Sequence, residues 1–281
     1  MIRIITDSTC EMPEEVMNHP AVSVVPLYVL FGQEVLRDGV DITREQFWAR
    51  LPKADPLPTT SQATPADFLE PFRRYTDAGD EIITIVISSK LSGTYASALQ
   101  ALDELPGRPI EVIDSLSTSV GLGLMVQEAL TMAEAGATRA EIVARLNAMR
   151  EQVHILFVVE TLEYLQRGGR IGKAQAFVGT LLKFKPLLGI VGGEVVPVAR
   201  VRSTRKAQDT MLELLAQQVP ARGPEVRLAV THAMIPDDAA RIGQELTALF
   251  GSTRLFISSL GPVLGTHVGP GTIGAAVCAG G

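Results

Sequence analysis

Cysteine is nearly missing: Cys10 and Cys278 lie at opposite ends of a 281-residue chain. Two such residues make neither a disulfide framework nor a metal-ligand spacing, so a reducing cytoplasm is the expected compartment. Aromatic residues are scarce at 5%, leaving little to stack on bases, and a net charge of −6 without a basic block argues against a nucleic-acid surface. His19, His154 and His232 show no ligand spacing, so no metal site is expected. Long apolar runs are also absent. Residues 178–191 are interrupted by Lys183, Lys185 and Pro186, which excludes a bilayer span there. The opening Met1-Ile2-Arg3-Ile4-Ile5-Thr6-Asp7 reads as a short strand and not as a signal peptide. A soluble protein follows as the expectation.

What the chain does contain is core material, 46% hydrophobic against 20% charged, enough for one large domain or two modest ones sharing an interface. Its organising stretch runs Ile82-Ile83-Thr84-Ile85-Val86-Ile87-Ser88-Ser89-Lys90-Leu91-Ser92-Gly93-Thr94-Tyr95. The β-branched run predicts a strand covered on both faces. A hydroxyl-rich turn follows, and residues 95–102 take up helical spacing. Strand, polar turn and helix point free backbone N–H groups above the sheet, where the helix dipole and the hydroxyls of Ser89 and Ser92 make an anion site suited to a carboxylate. The plain alternative is that these serines cap the helix and touch no ligand.

The same pattern recurs. Residues 2–5 predict a strand ending in Thr6-Asp7-Ser8-Thr9, a polar turn of the kind that borders ligands in open α/β sheets. Residues 109–113 predict another, followed by helices over 120–135 and 139–152. Three repeats within the first 150 residues predict a parallel sheet with helices on both faces. Between them, Lys53-Ala54-Asp55-Pro56-Leu57-Pro58 is a non-helical link to a second hydroxyl cluster, Thr59-Thr60-Ser61-Gln62. Thr64, Pro65 and Asp67 then read as N-cap, N1 and N3 of a helix, which leaves Thr60, Ser61 and Gln62 without a capping role.

The second half reads differently. Strands are expected over 154–159, 186–191, 194–201, 226–231, 254–258 and 272–277, with Gly192-Gly193 as a two-residue hairpin turn. Helices are expected over 174–182, 204–218 and 237–250, and residues 260–271 read as a loop. The expected architecture is α/β with two domains, an α/β domain over 1–152 and an α+β domain over 153–281.

Several motif-like spacings carry no chemistry. The glycines of residues 269–274 lead into a terminal strand with no room for a dinucleotide-binding unit, so they form a turn. Gly168-Gly169-Arg170-Ile171-Gly172-Lys173-Ala174 is one residue short of a phosphate loop and lacks its Ser or Thr. Lys90 and Thr94 stand where a hydrolase elbow around Ser92 requires glycine. His267 is the one histidine in a polar, glycine-flanked setting, and a Ser92–His267–Asp7 triad stays open as the alternative, an acyl hydrolase.

Taken together, Thr6-Asp7-Ser8-Thr9, Thr60-Ser61-Gln62, the 88–95 turn, Arg167-Gly168-Gly169-Arg170-Ile171 and Gly265-Thr266-His267-Val268-Gly269-Pro270-Gly271 resemble the DegV family over essentially the whole chain. In Firmicutes that family includes the fatty-acid-binding subunits of fatty acid kinase. The resemblance implies two α/β domains with a long-chain fatty acid between them, no catalytic residue, and no cofactor besides the bound lipid. Its carboxylate would be held at Ser61 and Ser92, with Thr60 and His267 close by. It further implies a separate ATP-binding kinase subunit that makes acyl phosphate, with Arg170 and Arg202 as contacts to that partner or to the phosphate. One departure is visible: Ala63 stands where family members often carry proline.

Overall fold

The structure is a computed structural model that describes residues 1–179 and 184–279. In chain order, β1 (Ile2–Asp7) leads through α1 (Glu14–Met17) to β2 (Val22–Val25). An antiparallel unit follows, β3 (Tyr28–Phe31) and β4 (Glu34–Arg37), with α2 (Arg44–Arg50) and then β5 (Thr59–Ser61). The half closes with α3 (Pro65–Asp77), β6 (Glu81–Val86), α4 (Thr94–Asp103), β7 (Ile110–Asp114), α5 (Ser119–Glu134) and α6 (Arg139–Gln152).

Strands β2, β1, β6 and β7 form an all-parallel sheet in that order. Residues Ile82 to Val86 are all buried, as a strand covered on both faces must be. Local chemistry sets the helix starts. Thr43, Thr64 and Thr138 each close a capping box with the residue three positions on, and Pro65 occupies the first turn of α3, where it forfeits no helical hydrogen bond.

The second half comprises β8 (Val153–Val158), α7 (Glu163–Arg167), β9 (Lys185–Val191), β10 (Glu194–Val201), α8 (Thr204–Gln218), β11 (Arg227–His232), α9 (Pro236–Phe250), β12 (Leu255–Ser259), α10 (Pro262–Val268) and β13 (Ile273–Cys278). Its sheet runs β10-β9-β8-β13-β11-β12, antiparallel except for the β11–β12 pair. Gly192 and Gly193 both hold positive φ (57° and 82°), the backbone that a two-residue hairpin turn demands.

Alternation along these strands sorts their side chains. Leu156, Val158, Leu228, Val230, Ala275 and Val277 pack with residues of α8 and α9 such as Leu215 and Phe250. The opposite face carries Ile155, Ala229 and Ala276 into a core shared with Ile4, Ile83 and Val120 of the first half. Between the two sheets lies α5, buried along most of its length and touching β1 and β6 on one side and β8, β11 and β13 on the other. A helix enclosed in this way is apolar all round, as its Val-Gly-Leu-Gly-Leu-Met-Val sequence is. Gly123 lets it approach: a Cβ there would overlap the Glu11 carbonyl oxygen.

Two expectations change. The helix expected over 174–182 is a 3-10 turn, Gly172–Phe177, and positions 180–182 lie outside the described residues. The tail expected as a loop over 260–271 contains α10, with Pro262 in its first turn. Intrinsic propensity in Pro-Val-Leu-Gly-Thr-His-Val is poor, and tertiary packing overrides it. A Cβ at Gly265 would come within 2.6 Å of the Phe47 ring and 2.9 Å of Trp48, so α10 rests on that aromatic pair. Trp48 also donates its indole N–H to the Leu260 carbonyl at 3.0 Å.

Candidate functional site

The two hydroxyl clusters meet. Strand β5 is held by antiparallel pairing to β3, with Val29 opposite Thr60 and Tyr28 opposite Ser61. Just beyond it the Gln62 amide lies across Gly93, the N-cap of α4, so closely that a Cβ there would overlap it, and its Nε2 donates to Ser97 Oγ at 3.3 Å. Thr60, Ser61, Ser92, Arg170 and His267 thereby line one cavity. Arg202 does not line it; that side chain is exposed between β10 and α8.

His267, on α10 and not in a loop, is buried, and its Nε2 sits 2.8 Å from Thr60 Oγ1. Burial, with the Arg170 charge adding to it, pulls the imidazole down to about 4, so the ring is neutral at physiological pH. Its Nδ1 has no hydrogen-bond partner. Ser92 Oγ lies 2.9 Å from Thr94 Oγ1 and accepts the Thr94 N–H at 3.3 Å, so part of its capacity goes to the turn, as the capping alternative expects. Ser61 makes only a 3.5 Å contact with the Gln62 carbonyl, at the limit of a hydrogen bond, which leaves its hydroxyl available. Arg170 is exposed at the mouth and donates to the Leu91 carbonyl (3.1 Å) and the Gly168 carbonyl (2.8 Å), tying the serine turn to the glycine-rich loop.

Behind this polar mouth the wall is greasy. Leu91, Leu165 and Val268 surround it, and Ile155, Phe157 and Ile190 line it from the second sheet. Phe157, Gly274 and Thr231 stand side by side across β8, β13 and β11. A row of this kind is invisible along the chain, because its members are neighbours only through strand pairing.

Other expected site residues are placed elsewhere. Ser89 is exposed, gives its N–H to Asp114 at 3.1 Å and does not line the cavity. The Thr6-Asp7-Ser8-Thr9 turn is structural. Asp7 is fully buried and accepts from Thr9 N–H (2.9 Å), Thr9 Oγ1–H (2.6 Å) and Ile87 N–H (2.7 Å), which locks the end of β1 to the end of β6. With those partners Asp7 does not orient His267, and Ser92 pairs with Thr94, so the Ser92–His267–Asp7 triad is not assembled. Among the described residues, no group of three or more His, Cys, Asp or Glu is arranged to hold a metal ion. None of the described helices is long and apolar enough to cross a membrane.

Two buried carboxylates that the sequence analysis passed over position α10. Glu11 pairs with Arg44 at 2.8 Å and accepts from Gly261 N–H (2.7 Å) and Ser258 Oγ–H (3.0 Å). Asp38 accepts the Val263 N–H at 3.2 Å, and desolvation pushes its carboxyl up to about 7. No spacing in the chain announces either role.

A family model described as "Uncharacterised protein, DegV family" matches residues 1–280. A DegV domain-containing protein of Halalkalibacterium halodurans is 38% identical over 97% of this chain and 96% of its own length. A structure described as fatty acid binding of a DegV family protein from Thermus thermophilus superposes with a TM-score of 0.93 at 36% identity, covering 99% of both chains. A stearic-acid-binding protein of Eubacterium ventriosum superposes with a TM-score of 0.91 at 27% identity, covering 99% of this chain and 98% of its own.

Proposed function

Because the chain belongs to the DegV family, we propose that it binds a long-chain fatty acid without chemically changing it. The carboxylate is taken by the hydroxyls of Ser61 and Ser92, with Thr60 and neutral His267 beside it, and the acyl chain lies along the apolar wall. The observation that carries this reading is the meeting of two hydroxyl clusters, 31 positions apart at Ser61 and Ser92 (92 − 61), at the mouth of one apolar-walled cavity. Ligands of this class in the solved relatives support it.

The chemistry is consistent. Hydroxyl donors aimed at a carboxylate make charge-assisted hydrogen bonds, each worth about 1.5–3 kcal/mol. Arg170 at the mouth offsets part of the cost of desolvating the anion, and a neutral imidazole can act as donor or acceptor beside it. Each buried methylene then adds roughly 0.8 kcal/mol, so the tail supplies much of the affinity.

In this reading residues 1–152 and 153–281 are two domains that close over the lipid, within a cytoplasmic protein that works without metal or cofactor. The bound acid is presented to a separate ATP-binding kinase subunit, with Arg170 and the exposed Arg202 as contacts to that partner or to the phosphate. Native mass spectrometry of the purified protein tests binding directly: a co-purifying long-chain acid is expected, and its loss on Ser92→Ala. Protein that carries no acid and takes none up from micelles, or that turns over acyl esters in a Ser92-dependent way, contradicts the reading.

A further inference from the structure

Three hydroxyls in the same cavity belong to no part of the carboxylate grip. Thr118, Ser119 and Thr231 all line it, and each is more than nine-tenths buried, with relative exposures of 9%, 7% and 5%. Thr118 Oγ1, Ser119 Oγ and Thr231 Oγ1 have no hydrogen-bond partner in the protein. Among the described residues, the other unpaired buried hydroxyls, on Thr6, Thr84 and Ser117, do not line the cavity. Two independent elements supply the trio. Thr231 comes from β11, in the row with Gly274 and Phe157; Thr118 and Ser119 come from the entrance to α5, a helix whose N-terminus has no side-chain cap.

A buried hydroxyl left unpaired destabilises the fold, and native proteins rarely tolerate several facing one space. Valine would fill the site of Thr231 with the same shape and none of that cost, next to Leu228, Ala229 and Val230 in the same strand. A guest bearing an oxygen removes the penalty. On one side the guest is satisfied by hydroxyls that donate or accept as needed, and the α5 entrance adds a partial positive charge that favours an oxygen.

We propose that this patch is a second polar subsite, which accepts an oxygen substituent, a hydroxyl or a keto group, carried on the acyl chain. The ligand class is then the oxygenated long-chain fatty acids. The inference rests on the fatty-acid reading above and assigns a specificity to its apolar wall.

Equilibrium binding of octadecanoic acid and a positional series of monohydroxyoctadecanoic acids tests it. One narrow range of hydroxyl positions is expected to bind as tightly as octadecanoic acid or tighter, while the others fall by roughly tenfold for burying an unpaired hydroxyl. Thr231→Val and Ser119→Ala should each lower the affinity ratio of the best hydroxy acid to octadecanoic acid by about fivefold or more. A penalty uniform along the chain and untouched by either substitution means that the hydroxyls hold water only, and overturns the subsite. Equal losses for both acids in the variants mean that the patch grips the carboxylate itself, and also overturn it. If octadecanoic acid does not bind the unmodified protein, the fatty-acid reading falls first and takes the subsite with it.

Discussion

Gly168 lies flat against the imidazole of His267: a Cβ at that position would overlap Nδ1 and stand 2.8 Å from Cε1. The glycine-rich loop therefore has a glycine where the histidine needs the space, at a residue whose own backbone φ of −74° any amino acid could adopt. Its neighbour Gly169 is different in kind, with φ at +69°, where a side chain would be strained.

Gly168→Ala is expected to push the His267 ring off Thr60 Oγ1 and to weaken fatty-acid binding by roughly tenfold, since the misplaced ring disturbs the hydroxyl array. Thermal stability should change little, because the loop is exposed on its other side. Displacement of a fluorescent acid, together with the melting temperature, separates the two effects. Wild-type affinity in this variant would show that His267 has no part in the grip.

Ser61→Ala and Ser92→Ala should each reduce affinity by about tenfold to a hundredfold, the range for a hydrogen bond to a charged acceptor. The double variant should lose less than the sum, because two donors to one carboxylate are coupled. A strictly additive pair measured by calorimetry would place the two hydroxyls on different ligand atoms.

Gly274 forms part of the cavity wall, and a Cβ there would stand 3.2 Å from Phe157 Cβ and 3.3 Å from Thr231 Cγ2. Gly274→Ile should fill the space that the acyl chain takes, so long chains lose affinity by at least tenfold while short ones are spared. Parallel losses across a chain-length series would mean that the tail runs elsewhere.

Asp38 carries a pH dependence whose sign follows from its carboxyl being raised to about 7 by desolvation. The folded protein binds a proton there that the unfolded chain has released, so the group's contribution to stability is complete below the ordinary carboxyl range and is lost as pH rises toward 7. Asp38→Asn, which still accepts from the Val263 N–H, should remove that slope. Urea midpoints measured across about pH 4.5–7.5 for both proteins should therefore converge at the acid end if asparagine substitutes well for the protonated acid. An unchanged difference over the whole range would mean that Asp38 does not titrate there.

His267 should stay neutral well below the usual histidine range, as its value near 4 requires. The unfolded chain protonates first as the medium is acidified, so this residue costs stability as pH falls from the ordinary histidine value toward 4. Arg170→Gln removes a nearby positive charge and should raise the ring's titration midpoint. NMR of the ring carbons reads it directly; a midpoint unmoved by the substitution would separate Arg170 from His267.

Much of the fold is local and was legible in the chain. The β-branched run before Ser88, the capping box at Thr64 and the Gly192-Gly193 turn all form where the pattern places them, because each depends on residues within a few positions of one another. The hydroxyl clusters were visible for the same reason. What the chain could not display was direction. Ser89 turns outward and Ser92 inward within one turn, and Asp7 faces a buried strand end and not a ligand. Helix α10 depends on the Phe47–Trp48 ledge and on Glu11 and Asp38, more than 200 positions away, so its own residues carry no helical signal. The Thr60–His267 bond spans 207 positions, and the Phe157–Gly274–Thr231 row exists only once β8, β13 and β11 pair. Composition and periodicity determined which elements form and where hydroxyl side chains cluster at their ends. Only the packing of two sheets around α5 decided which of those side chains share one cavity, because cavity walls are made of contacts between residues that sequence spacing keeps apart.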